Sequence, residues 1–206
     1  VAYASAIKSA DPTALVWGPV EWGWLGIKNT ASDKGPDGKY ETPEDSIAHG
    51  TDFFLKWYIQ QLAAYKKKTG KLLVDVIDVH DYPEVYDPKE GRIVMGSLGW
   101  DGGSSSASQK ARLLAARTWW DPSYKPSGEG GSSWISEPIY LLRRIQGYIK
   151  EFLPELKLAV TEWNFGGNPT LNGALTHALV FRALMAEGAY AAAEWGPPKP
   201  EHPAFH

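Results

Sequence analysis

The sequence predicts an α/β fold: a parallel sheet of the (β/α)8 TIM-barrel type, present in part, with about four βα units at its C-terminal side. Three observations predict it. Apolar runs at residues 14–20, 72–83, 156–166 and 189–196 alternate with longer segments of helical periodicity, and continuous apolar strands alternating with helices mean parallel strands covered on their outer face. Polar and aromatic residues gather at the carboxyl ends of those runs, as Glu21-Trp22, His80-Asp81-Tyr82, Glu162-Trp163-Asn164 and Glu194-Trp195; (β/α)8 barrels carry their active sites on that face. A complete barrel typically takes ~250 residues, and the chain has 206.

Taken in order, residues 2–12 read as an amphipathic helix stopped at Asp11-Pro12. Residues 14–20 form a short buried strand broken at Gly18-Pro19, followed by the aromatic turn "EWGW" and a Gly-, Lys- and Asp-rich loop over 25–41. A long helix is expected over 42–70, with Thr42 as cap, Pro43 in the first turn and Gly70 at the end. The second strand, "LLVDVIDVHDYP", is followed by a long insertion, residues 84–133, whose helical patch is "QKARLLAARTWW". An insertion of that length at a strand's carboxyl end exceeds the usual connection and suits the wall of a cleft. The next helix places Ile139, Leu142, Ile145 and Ile149 at helical spacing, with Ser136 as its cap and Glu137-Pro138 in its first turn. The third strand, a further helix over 172–188 and the small-residue strand "AYAAAEWG" complete the order.

A net charge of −3, from 21 basic and 24 acidic residues, offers no electrostatic case for nucleic acid or an anionic membrane. No apolar run reaches the ~20 residues that span a bilayer, and no obligate protein partner is evident. The absence of cysteine excludes a disulfide scaffold, a thiol nucleophile and Cys-ligated zinc. The 10 Trp and 10 Tyr are broad rings with polar rims, which suit ligands with apolar faces, and sugars are such ligands.

Most enzymes that cleave glycosidic bonds use two carboxyl groups, and in retaining ones one of the two attacks the sugar. Glu162, at a strand end between Val160-Thr161 and Trp163-Asn164, fits the attacking role. His80 and Tyr82 alternate, so their side chains leave a strand on one face and offer an imidazole and a phenol to a carboxylate or to sugar hydroxyls. Asp78 points to the same side, into an interior where a carboxylate needs a partner. Trp22, Trp24, Trp163 and Trp195 are candidate stacking platforms, with Asn164 a candidate polar contact. No HExxH or comparable ligand spacing is present, so no catalytic metal is expected. Glu137 has no preceding strand and is read as part of the helix start.

The segments "AIKSADPTALVWGPVEWGW", "DVIDVHDYPE", "ARTWWDPSYKP", "SSWISEPIYLLRRIQGYI" and "LAVTEWNFGG", in this order, together resemble glycoside hydrolase family 44, from Ala2 to Trp195. The resemblance implies retaining bacterial endo-β-1,4-glucanases and xyloglucanases acting on β-glucan polysaccharide. It places the nucleophile on Glu162 and a cleft-lining His-x-Tyr-Pro strand end on His80, Tyr82 and Pro83. It also implies secretion, no required cofactor and room for a structural calcium. Residues 1–206 are then expected to be the C-terminal half of the catalytic barrel, without the family's Asn-Glu-Pro acid/base strand and its C-terminal β-sandwich, and inactive alone. Two other readings share these residues: a β-glycanase of another family in the barrel clan, such as a mannanase or xylanase, and a non-catalytic carbohydrate-binding protein.

Overall fold

The computed structural model describes residues 1–29, 50, 53–87, 89, 91–92, 105–128, 132–196 and 199–203. They fall into two units, residues 1–80 with 145–161 and residues 81–144 with 162–206. In the first unit, helix α1 (Ala2–Ala10) stops where the Asp11 carboxylate accepts from the Thr13 amide and hydroxyl, at 2.8 and 2.7 Å. Lys8 then pairs with Asp75 at 2.7 Å, and Asp75 accepts from the Val16 amide at 2.7 Å. One carboxylate thus sets the start of two strands. Strand β1 (Trp17–Trp22) runs through Gly18-Pro19 instead of ending there, with its register against the next strand shifting between Pro19 and Glu21.

Part of the expected loop is helical: α2 covers Gly23–Asn29. Gly23, at φ +67°, supplies the left-handed turn that takes the chain straight from strand into helix. Helix α3 (Phe54–Thr69) ends on Gly70 at φ +73°, whose amide reaches the Lys66 carbonyl, the left-handed cap expected of glycine there. The expected start at Thr42-Pro43 lies outside the described residues. Strand β2 is Val76–Asp81. Ile27, Leu55, Ile59, Val76, Ile77, Val79, Ile145, Leu158, Ala159 and Val160 make the fully buried apolar core of this unit.

After β2, the insertion opens with an antiparallel pair, β3 (Tyr86–Asp87) and β4 (Gly91–Arg92). Helix α4 (Ser106–Ala115) follows, capped by Ser105 accepting from the Ser108 amide, and tightens into a 3₁₀ turn over Ala116–Trp119. Helix α5 (Leu141–Phe152) starts five residues after Ser136, so Ser136 is not its cap and Glu137 is not in its first turn. The Arg144 guanidinium takes the Pro138 and Ile139 carbonyls at 2.9 and 3.1 Å and stacks 3.9 Å over the Tyr140 ring. Those carbonyls are committed to a side chain rather than to helical amides. Strand β5 (Lys157–Trp163), helix α6 (Leu171–Ala186, capped by Thr170) and strand β6 (Ala191–Glu194) complete the chain.

The strands pair in the order β1-β2-β5-β6, and β1 and β2 are parallel, from Trp17 opposite Val76 to Trp22 opposite His80. Chain order equals sheet order, with helices between successive strands. That is the expected α/β pattern with a parallel sheet.

Candidate active site

The alternation at the end of β2 governs what its residues meet. Within the first unit, Asp78 is buried, 4% exposed. Its carboxylate accepts from the Thr161 amide at 3.2 Å and lies 2.8 and 2.7 Å from the Thr161 hydroxyl. His80 Nε2 is 3.2 Å from that same hydroxyl. A threonine hydroxyl has one proton, and directing it to Asp78 makes Nε2 of His80 the donor in the second contact. The partner that a buried Asp78 requires is therefore Thr161.

Within the second unit, Tyr82 donates its hydroxyl to Glu162 Oε2 at 2.9 Å. Burial, then the hydrogen bond to Glu162, then the Glu162 and Asp81 charges push the phenol well above its usual value. It keeps its proton and remains a donor. Asp81, one residue earlier and 6% exposed, faces the other way and accepts from Trp119 Nε1 at 2.6 Å. The structure thus joins two predicted residues, Tyr82 and Glu162, in one hydrogen bond.

The end of β6 brings a second carboxylate into a polar cluster. Glu194 Oε1 lies 3.2 Å from Asn164 Nδ2, 3.4 Å from Asn168 Nδ2 and 3.5 Å from His177 Nε2. Burial pushes its carboxyl up to about 7, against an opposing hydrogen bond from Asn168.

Of the four candidate platforms, Trp22 and Trp195 are exposed, at 54% and 52%. Trp24 and Trp163 are not platforms: they are 2% and 1% exposed. Trp24 sits in α2 with its ring 5.5 Å from Phe53. Trp163 packs edge-on against Trp119, His177 and Phe181 at 5.8, 5.2 and 5.9 Å. Asn164 is also corrected. It is fully buried and gives its amide protons to Glu194 and the Trp195 carbonyl, the latter at 2.7 Å, while its oxygen takes the Gly166 amide at 2.6 Å. Its hydrogen-bonding capacity is spent inside the protein, joining the ends of β5 and β6.

Sequence reasoning missed Trp119 and Arg112, both 0% exposed. The available signal was a cation on the buried face of the 109–120 patch. Among the described residues, no group of three or more His, Asp or Glu is placed to hold a metal ion, so the structural calcium the resemblance leaves open has no assigned ligands.

A strand-end carboxylate thus accepts a hydrogen bond from a phenol on an α/β sheet. The chain matches the family model of glycoside hydrolase family 44 over residues 1–85. It is 31% identical over 195 residues to endoglucanase A of Paenibacillus lautus, covering 93% of this chain and 25% of that protein. Among solved structures, it is similar to a bifunctional glucanase–xylanase from a metagenome library, at a TM-score of 0.81 and 31% identity over 98% of this chain and 36% of the other. A Paenibacillus polymyxa xyloglucanase of family 44, solved with xyloglucan, aligns at a TM-score of 0.74 and 28% identity over 95% of this chain and 35% of the other. The chain spans well under half the length of each.

Proposed function

We propose that residues 1–206 supply the nucleophile half of a retaining, endo-acting β-1,4-glucanase, with Glu162 as the nucleophile. The observation that carries this is the hydroxyl of Tyr82 on Glu162 Oε2. A carboxylate that attacks a sugar must be aimed, and a donor fixed on one oxygen aims it. In this reading the four strands are consecutive strands of a (β/α)8 barrel and form its C-terminal half. Glu162 attacks the anomeric carbon, the glycosidic C–O bond breaks, and an acid from outside these residues protonates the departing oxygen. Water, deprotonated by that same group, then releases the sugar from Glu162. The substrate is a β-1,4-glucan such as cellulose, carboxymethyl cellulose or xyloglucan, the enzyme is secreted, and no cofactor takes part. Trp22 and Trp195 offer stacking faces, and His80 a ring edge for a sugar hydroxyl. Residues 1–206 alone lack the acid and are inactive.

The test uses the full-length protein that contains these residues. A 2-deoxy-2-fluoro cellobioside should become covalently attached to Glu162, read by mass spectrometry of the peptide. Glu162→Gln should abolish labelling and reduce kcat to below about a tenth, ~1.4 kcal/mol or more of barrier. A label on another carboxylate, or a larger residual rate, would remove Glu162 from the role. A panel of glucan, xyloglucan, mannan and xylan separates the glucanase from a mannanase or xylanase. Tight binding without turnover of any of them would mark a carbohydrate-binding protein.

A further inference from the structure

The second unit contains a lock that the proposed chemistry does not use. Helix α4 and its 3₁₀ turn present two fully buried side chains, Arg112 and Trp119, to the segments that carry Tyr82 and Glu162. Trp119 Nε1 donates to Asp81 Oδ2 at 2.6 Å, and Asp81 immediately precedes Tyr82. The same indole lies edge-on to Trp163, at 5.8 Å, and to Phe165, at 5.3 Å, and Trp163 immediately follows Glu162. Seven residues earlier, Arg112 Nε donates to the Phe165 carbonyl at 3.0 Å and Nη1 to Asn172 Oδ1 at 2.6 Å. Asn172 returns its amide to the Gln109 carbonyl on α4 at 3.1 Å, closing a ring of bonds.

The backbone is fitted to this arrangement. Gly167 sits at φ +70°, and a Cβ there would stand 2.7 Å from the Arg112 guanidinium carbon. A Cβ on Gly173 would stand 2.1 Å from the Gly167 carbonyl oxygen. The loop after Glu162 is therefore pressed between Arg112 and the first turn of α6. Burying a guanidinium costs desolvation that an apolar side chain of similar volume avoids. Its planar fork, however, holds two acceptors at a fixed angle, which an apolar group cannot do.

We propose that Arg112 and Trp119 are positioning residues: from one short helical segment they set the strand ends that carry Tyr82 and Glu162, and so the hydrogen bond between those two. In its kinetic consequences this rests on Glu162 being the nucleophile. A nucleophile misplaced by about 1 Å loses on the order of 10²-fold in rate, so the lock should show itself in kcat. Stability alone should not account for it.

The experiment makes Trp119→Phe, which removes the indole N–H and keeps a ring, together with Arg112→Lys and Arg112→Met in the full-length protein. Each should lower kcat about tenfold or more with KM within about twofold. In a Tyr82→Phe background, Trp119→Phe should add almost nothing, because the bond it positions is already gone. A measurement that needs no turnover runs beside this. In protein with 13Cζ-labelled tyrosine, the Tyr82 resonance, identified by its loss in Tyr82→Phe, should move in Trp119→Phe and Arg112→Lys. Should Arg112→Met fail to fold, Arg112→Lys keeps the charge and still loses the fork geometry. Additive kinetics, with an unmoved Tyr82 resonance and only a lowered melting temperature, would make the two residues packing and overturn the proposal. If Glu162 proves not to be the nucleophile, the Tyr82 resonance still decides: a shift supports the lock and no shift overturns it.

Discussion

Replacing Tyr82 by Phe removes one oxygen and tests the bond on which the proposed chemistry turns. That hydroxyl donates to Glu162 Oε2 at 2.9 Å, so the loss is a hydrogen bond to a carboxylate, worth about 1.5–3 kcal/mol. If the bond aims the carboxylate throughout the reaction, that energy appears in the barrier, where ~1.4 kcal/mol is a factor of ten. The expected fall in kcat/KM is therefore ~10- to 100-fold. Stability should change little, by about 1 kcal/mol or less, since the pair is part-buried and water can replace the hydroxyl. The alkaline side of the rate profile should not move. The phenol's pKa is already pushed above its ordinary 10.0, chiefly by burial, so its ionisation does not set activity below that pH. The assay is kcat and KM on a soluble β-1,4-glucan, with a melting curve on the same sample. An unchanged kcat/KM in a folded variant would refute the reasoning, because the bond would then be a feature of the resting protein only.

Three further outcomes follow from the same geometry. Glu194→Gln should change how stability depends on pH: folded Glu194 has its pKa raised from 4.5 to about 7, so its cost is absent below the unfolded value and grows as pH rises from 4.5 towards 7. Stability of the native protein then falls across that window, and the Gln variant, melted at pH 4.5 and 8, should lose this part of the slope. A parallel His177→Gln variant separates the contribution of the titratable group that faces Glu194 at 3.5 Å. Trp195→Ala and Trp22→Ala should weaken cello-oligosaccharide binding with little change in melting temperature, as expected of rings that are half exposed. Trp163→Ala should do the reverse and destabilise by about 3–5 kcal/mol, and a binding defect without destabilisation would show that its burial has been misread.

Strand and helix order was legible because it rests on local periodicity. Apolar runs of strand length and i, i+3, i+4 spacing are properties of neighbouring residues, and the four strands came out in the predicted order. The errors arose where a distant or unexpected group took over a local role. Ser136, Glu137 and Pro138 have the composition of a helix start, yet Arg144 claims the carbonyls of Pro138 and Ile139 and defers the helix to Leu141. The fate of each strand-end tryptophan was equally hidden. Trp22 and Trp24 are two residues apart, yet Trp24 is buried against Phe53 while Trp22 is exposed, and Trp163 meets Trp119.

The site divides along the same line. A carboxylate and a phenol at strand ends could be named because strand alternation fixes direction, and one hydrogen bond joins the pair. Asn164 could not be read correctly, since its position beside Glu162 suggests a substrate contact while its partners, Glu194 and the Trp195 carbonyl, come from β6. Arg112 left a usable trace. Ser108, Arg112, Ala115 and Trp119 recur at helical spacing and are all buried, so a cation interrupts a stripe that otherwise faces inward. A buried guanidinium is tolerated only where fixed acceptors meet it. One acceptor of Arg112 is the Phe165 backbone carbonyl, just beyond the end of β5, and a carbonyl held by an arginine is a backbone held in place.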